Sequence, residues 1–301
     1  MNSGNCWRII SALAYDPDKM SNPYFFLFEL IIYLQLFLCL LHARKHGTGS
    51  LVGLLSGILF GILLEIVTIR QLNAYKYGQF LIMIGDVPLC IGIAWGSIIY
   101  SVMEFTDATS LPRFARPLLS GLLALNIDLA LDPIATRLGF WDWGQGHEFQ
   151  FFGVPYGNFL AWFWVVVSFS AAYLLLSNRK DWIGTWLAGP FGVLVGLIVV
   201  FATNAFMAFV IPLDYHGILA ILVLAMAIIF IFSMQPLLHQ RLVGPPAFWT
   251  PFLMLAYILA AGLTSGVIFE PPILLLLTLA MLGVLFGLHA MNIKHMIPRN
   301  A

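Results

Sequence analysis

The chain has 301 residues, 61% of them hydrophobic and 9% charged, with Lys+Arg and Asp+Glu balanced at 14 each. A soluble domain carries about 25% charged residues, so this composition and a mean hydropathy of +0.93 exclude an ordinary water-soluble fold. Zero formal charge argues against a nucleic-acid footprint, and three scattered cysteines (Cys6, Cys39 and Cys90) indicate neither a disulfide framework nor a thiolate metal site.

The expectation is an all-α integral membrane protein, a polytopic bundle of eight or nine transmembrane helices forming one domain over residues 1–301. Residues 1–22 lack the long apolar core and cleavage site of a signal peptide and read as an extramembrane or interfacial segment. Apolar runs of about 20 residues then predict spans at 23–41, 49–69, 80–102, 117–133, 154–176, 183–211, 216–235, 248–268 and 272–289. Residues 49–176 form the expected catalytic core, and 183–290 supply additional helices. Glycines four apart (Gly53, Gly57 and Gly61; Gly92 and Gly96; Gly192 and Gly196; Gly262 and Gly266; Gly283 and Gly287) are the small-residue spacing that lets helices approach closely.

With nine spans, one face collects Arg44, Lys45, Arg113, Arg116, Arg179, Lys180, Arg241, Lys294 and Arg299. The other holds Arg8, Lys19, Arg70, Lys76 and Arg137. The positive-inside rule puts the larger set in the cytoplasm and the N-terminus outside, in a cell membrane expected to be bacterial. Glu65, Asp128, Asp132, Asp142, Glu148, His147, Asp214, His216 and Glu270 all fall toward the non-cytoplasmic face, so the polar chemistry is expected on that side.

An internal parallel repeat is expected over 65–95 and 132–162. Glu65, Val87-Pro88 and Ala94-Trp95 return 67 residues later as Asp132, Val154-Pro155 and Ala161-Trp162, with the Tyr75–Tyr77 loop answered by Trp141-Asp142-Trp143. Both copies would enter the membrane in the same direction, related by a pseudo-twofold axis along its normal. A true repeat brings one carboxylate from each half to a central cavity.

Asp128 and Asp132 are four apart and share a helix face. Ionisable groups at membrane depth cost several kcal/mol, roughly 2.5–3.5 on insertion scales, and rarely persist without a task or partner. Paired carboxylates can divide acid and base roles, and the ring faces of Tyr75, Tyr77, Trp141 and Trp143 can stabilise a carbocation. Together they suit protonation of an alkene followed by capture with water. Asn158, one turn inside a helix opened by Pro155, could reach an aspartate or a water.

Each residue also has a structural role open to it. Glu65 could pair with Arg70, the aspartates could hydrogen-bond between helices, and Trp141 and Trp143 could be interfacial belt residues. Asp214-Tyr215-His216 reads as a turn and helix start. No clustered-histidine, HExxH, dinucleotide or P-loop pattern is present, so neither a metal nor a cofactor is expected.

At these residues the chain resembles carotenoid biosynthesis membrane proteins of the bisanhydrobacterioruberin hydratase and γ-carotene 1′-hydratase type. The resemblance runs from about Glu65 to Trp164. It rests on Glu65, Tyr75-Lys76-Tyr77, Val87-Pro88-Leu89, Ala94-Trp95, Asp128, Asp132-Pro133, Gly139-Phe140-Trp141-Asp142-Trp143, Phe152-Gly153-Val154-Pro155 and Asn158-Phe159. It implies addition of water across the terminal double bond of an acyclic carotenoid end group, giving a tertiary alcohol without a redox cofactor. The chain departs from the family pattern at IVTIRQLNAY, where a Thr-Gly and a Pro-Phe-Gly are usual, and at Gly157, where a serine usually precedes the asparagine. Asp86 and the stretch beyond Trp182 also match less clearly.

The expected activity is therefore hydration of an isoprenoid end group. Asp132 and Glu65 are acid and base, Asp128 supports one of them, and Asn158 positions water. Tyr75, Tyr77, Trp141 and Trp143 line the cation site, with Asp142, Trp95 and Trp162 completing the substrate contacts. Expected partners are an apolar isoprenoid or carotenoid substrate and membrane lipid. A proton-initiated terpenoid cyclase and a non-enzymatic isoprenoid transporter or binding protein are the competing readings.

Overall fold

The computed structural model describes residues 22–72, 75–145, 150–239 and 243–296. The expected N-terminal segment, His147, Glu148, Arg241 and Arg299 lie outside the described residues. Among the described residues are nine helices long and apolar enough to cross a membrane. They are α1 (Pro23–His46), α2 (Thr48–Leu72), α3 (Leu89–Asp107), α4 (Arg116–Arg137), α5 (Tyr156–Ser177), α6 (Ala188–Phe209), α7 (His216–Ser233), α8 (Pro245–Ser265) and α9 (Ile273–Met296). The protein is an all-α integral membrane bundle.

One predicted boundary moves. The third span was expected from residue 80, but α3 begins at Leu89. The apolar stretch before it belongs to a loop folded over the bundle end. There β2 (Met83–Ile84) and β3 (Val87–Pro88) form a hairpin through Gly85, whose φ of 63° suits glycine. Phe25, Phe28, Phe80 and Phe140 pack ring against ring beneath it, with centroids 4.7–6.3 Å apart, so hydrophobicity here marks burial against protein.

Positions 67 residues apart, those of the expected repeat, share several local features. Packing of α2 on α3 is matched by packing of α4 on α5. Pro88 and Pro155 each sit just before the first turn of a re-entering helix, with nearly the same backbone (φ −66°, ψ 133° and φ −60°, ψ 135°). Between the halves, β1 (Lys76–Tyr77) pairs antiparallel with β4 (Trp141–Asp142), Lys76 opposite Asp142 and Tyr77 opposite Trp141. A shift of 67 residues maps the Lys76–Asp142 pair onto Tyr75 and Trp143, whose ring centroids are 4.8 Å apart. This small ladder is close to being its own symmetry mate.

Around this four-helix centre, α6 packs on α2 and α5, and α7 on α4 and α5. On the other side α1 packs on α2, α3 and α8, while α9 packs on α4 and α8. The glycine spacings explain part of the closeness. A Cβ on Gly61 would fall 2.5 Å from the Trp95 Cβ, so only glycine lets α2 seat that indole. Gly283 and Gly287, by contrast, face open space and close no helix contact among the described residues.

The expectation that polar chemistry lies on one side needs correction. At the opposite end of the bundle, Tyr100 hydroxyl meets His42 Nδ1 at 2.8 Å and Ser50 Oγ at 3.0 Å. His42 Nε2 stands 3.8 Å from Glu104, and Arg116 pairs with Asp107 at 2.9 Å. Glu104 and Asp107 fall at the end of α3, where a count focused on the repeat overlooks them.

Candidate active site

Glu65 lies two turns inside the end of α2 and is 4% exposed. Its Oε2 accepts hydrogen bonds from the hydroxyls of Tyr75 and Tyr77, the latter at 2.8 Å, and its Oε1 accepts one from Trp95 Nε1 at 2.7 Å. Among the described residues its carboxylate is taken up by these three donors and not by Arg70. Three donors aimed at one carboxyl occupy much of its acceptor capacity and fix its orientation. The loop phenols can supply them because both stay protonated: burial first, then the nearby Glu65 charge, holds Tyr75 and Tyr77 well above the ordinary tyrosine value of 10.0.

The second half supplies a different arrangement. Asp128 and Asp132 lie one turn apart on α4 and are 0% and 2% exposed. Asn158, in the first turn of α5, donates from Nδ2 to Asp132 Oδ2 at 2.6 Å and to Asp128 Oδ2 at 3.2 Å. Two buried carboxyls gathered on one amide, with no cation among these partners, form a pair suited to hold one proton between them. Asp128 Oδ1 has no partner among the described residues.

Glu65 and Asp132 open on the same cavity, of about 540 Å³. Tyr75, Tyr77, Trp95, Trp141, Trp143, Asn158 and Trp162 are also on its wall. Two expected site residues are not. Asp128 sits behind Asp132, reached through Asn158, and Asp142 turns outward to accept the Gly144 N–H at 2.9 Å. The alternation of strand β4 explains Asp142: Trp141 on one side of it is buried, so Asp142 faces the other way.

The tryptophans make an aromatic frame. Trp95 and Trp162 meet at 4.3 Å between ring centroids, and Trp141 stands edge-on to Tyr77 at 6.1 Å. The indole N–H groups of Trp141 and Trp143 have no hydrogen-bond partner among the described residues, so both remain open donors beside the cavity that their rings line. The positive φ of Phe152 (53°) and Gly153 (87°) makes the tight turn that delivers Pro155, and Arg137 holds the Phe152 carbonyl at 2.8 Å.

The wall also includes residues that sequence reasoning passed over: Thr68 on α2, Thr203 and Asn204 on α6, and Met254 on α8. Asn204 carried a usable signal, as an amide inside a long apolar span. His216 starts α7 as expected but reaches the cavity too, its Nε2 lying 2.9 Å from Met207 O and 3.0 Å from Ile211 O.

The arrangement is an apolar chamber with a carboxyl held by three donors on one wall and a pair of carboxyls gathered on one amide on another, framed by π faces. Such a chamber can protonate an alkene and hold the cation that results.

Comparison with known proteins places the chain in a family. The family model described as "Carotenoid biosynthesis protein" matches residues 22–232, from the start of α1 into α7. The chain is similar to the bisanhydrobacterioruberin hydratase of Haloarcula japonica, 27% identical over 186 residues, which is 58% of this chain and 60% of that relative's length. No solved structure matches the chain. With the family model matched over well more than half its length, the chain belongs to the carotenoid biosynthesis protein family.

Proposed function

We propose that this protein adds water across the terminal double bond of an acyclic carotenoid or related isoprenoid, without a cofactor. The observation that carries the reading is the shared cavity: Glu65 from one half and Asp132 from the other line a single apolar, π-walled space at membrane depth. The family membership and the similarity to a hydratase support it.

In this mechanism Asp132, holding the proton of the Asp128–Asp132 pair, gives it to the less substituted alkene carbon. The π electrons form the new C–H bond and leave a tertiary cation. The Glu65 carboxylate and the faces of Trp141, Trp143, Tyr75 and Tyr77 stabilise that charge, each ring by roughly 0.5–2 kcal/mol. Water adds to the cation through oxygen and loses a proton to Glu65, giving the tertiary alcohol. Return of that proton to Asp132 across the common cavity resets the site. Asn158 keeps the acid pair aligned through its hydrogen bonds to both carboxyls, and Asp128 shares the returned proton with Asp132 before the next turnover.

The active site opens toward the end of the bundle that the positive-inside rule assigns to the non-cytoplasmic face. Expression of the full chain in cells that make lycopene tests the reading by product mass. A gain of one water is expected. An isomer of unchanged mass would establish the cyclase instead, and unaltered pigment with bound carotenoid would establish a binding protein.

A further inference from the structure

The cavity is longer than the acid pocket. From Glu65 and Asp132 it continues past Asn158 and Gly157 at the first turn of α5, then between α6 and α7. There Asn204, Met207 and Ala208 stand on one wall and His216, Leu219 and Val223 on the other. A short connection joins α6 to α7, yet the two share only α5 as a common neighbour, α6 leaning on α2 and α7 on α4. They splay. The outer edges of the gap carry bare apolar side chains, with Phe206 50%, Ile218 57% and Leu222 54% exposed, the surface that hydrocarbon covers in a bilayer.

Gly157 lines the cavity beside Asn158, on the helix between the acid residues and His216. A Cβ there would meet only His216 Nδ1, at 3.9 Å. That ring is not free to move aside, because its Nε2 is shared between the Met207 and Ile211 carbonyls. A small residue at position 157 therefore leaves open a passage that a larger side chain narrows.

We propose that the gap between α6 and α7 is the channel binding the apolar tail of a long isoprenoid admitted sideways from the bilayer, and that Gly157 sets the width of its passage to the acids. The inference rests on the hydration reading above and names where the rest of the substrate lies. Its occupant follows from the surroundings: exposed apolar residues edge the gap on both helices, the walls are mostly apolar, and the same cavity holds the acid groups.

The test compares two substrates with the same trisubstituted end alkene, a forty-carbon acyclic carotenoid and a ten-carbon acyclic terpene, using the full chain in native membranes. Gly157→Leu is chosen because leucine favours a helix more than glycine does. Leu219→Trp fills the gap from α7, a helix that carries neither Glu65 nor Asp132. Both variants are expected to lower the ratio of long-chain to short-chain kcat/KM by at least about tenfold, the scale at which misfit in an apolar pocket is felt. An unchanged ratio in either variant overturns the channel. A wild-type protein that hydrates neither substrate overturns the proposed function itself, which is a different result and is read first.

Discussion

Trp95 and Trp162, 67 positions apart in the chain, meet with ring centroids 4.3 Å apart and planes at 44°. Equivalent residues of two repeats touch only near the axis relating them, and this contact, on the cavity wall, is the kind the expected repeat requires. The pair is asymmetric in one respect: Trp95 also donates to Glu65, at 2.7 Å. Trp95→Phe keeps an aromatic ring at the axis and removes that donor. A hydrogen bond to a charged group is worth about 1.5–3 kcal/mol, so hydration by this variant is expected to fall at least about tenfold. Trp162→Phe, which takes no donor from Glu65, is expected to cost less. Product yield per folded protein in membranes measures both.

Asp132 and Asp128 are separated by the cavity wall, and variants should separate them too. Asp132→Asn leaves the shape and removes the proton donor, so turnover is expected to fall by roughly 10²–10⁴, the usual contribution of a general acid. Asp128→Asn still presents an oxygen to Asn158 and is expected to lose turnover by a smaller factor. Equal losses in the two variants, with both proteins folded, would move the acid role to the pair as a unit or to Asp128.

The loop phenols give a dependence on pH. A tyrosine whose native pKa stands above its unfolded value contributes its stability in full below the unfolded value and loses it as pH climbs toward the native one. For Tyr75 and Tyr77, raised from 10.0 by burial and by Glu65, that loss begins above about pH 10. The Tyr75→Phe, Tyr77→Phe double variant is expected to show a flatter decline of Tm above that pH than the wild type. Through neutral pH both phenols remain donors, so no limb of the activity profile there belongs to them.

Sequence reading reached the spans because apolar runs of the right length have few other uses, and it reached Glu65 and Asp132 because acids at membrane depth are rare. The constant offset between halves made the repeat visible before any contact was known. What it could not reach depends on side chains arriving from elsewhere. The two-residue strands β1 and β4 have no periodicity to speak of; they exist because the halves meet. Asp142 was counted among the substrate contacts for its neighbours, though alternation along β4 turns it away from Trp141. An amide inside an apolar span marks Asn204 in the sequence, but which cavity it lines depends on how α6 and α7 diverge, a tertiary fact.

Glu29 is the clearest of the residues that sequence reading passed over. It lies in α1, is 1% exposed, and accepts hydrogen bonds from Tyr33 hydroxyl at 2.9 Å and from the backbone N–H of Leu81. Leu81 stands between Tyr77 and β2, so an acid in one membrane helix pins the loop that carries two of the three donors to Glu65. Glu29→Ala removes the pin, and an unmade hydrogen bond of this kind costs about 1–3 kcal/mol. Glu29→Gln keeps an oxygen for Leu81 and an amide that Tyr33 can accept, so it should retain most of the hold. The alanine variant is expected to speed amide exchange across residues 78–86 while the helices stay protected, and to lose hydration in proportion; the glutamine variant should do neither. Unaltered exchange over 78–86 in Glu29→Ala would show that the ring cluster of Phe25, Phe80 and Phe140 holds the loop by itself.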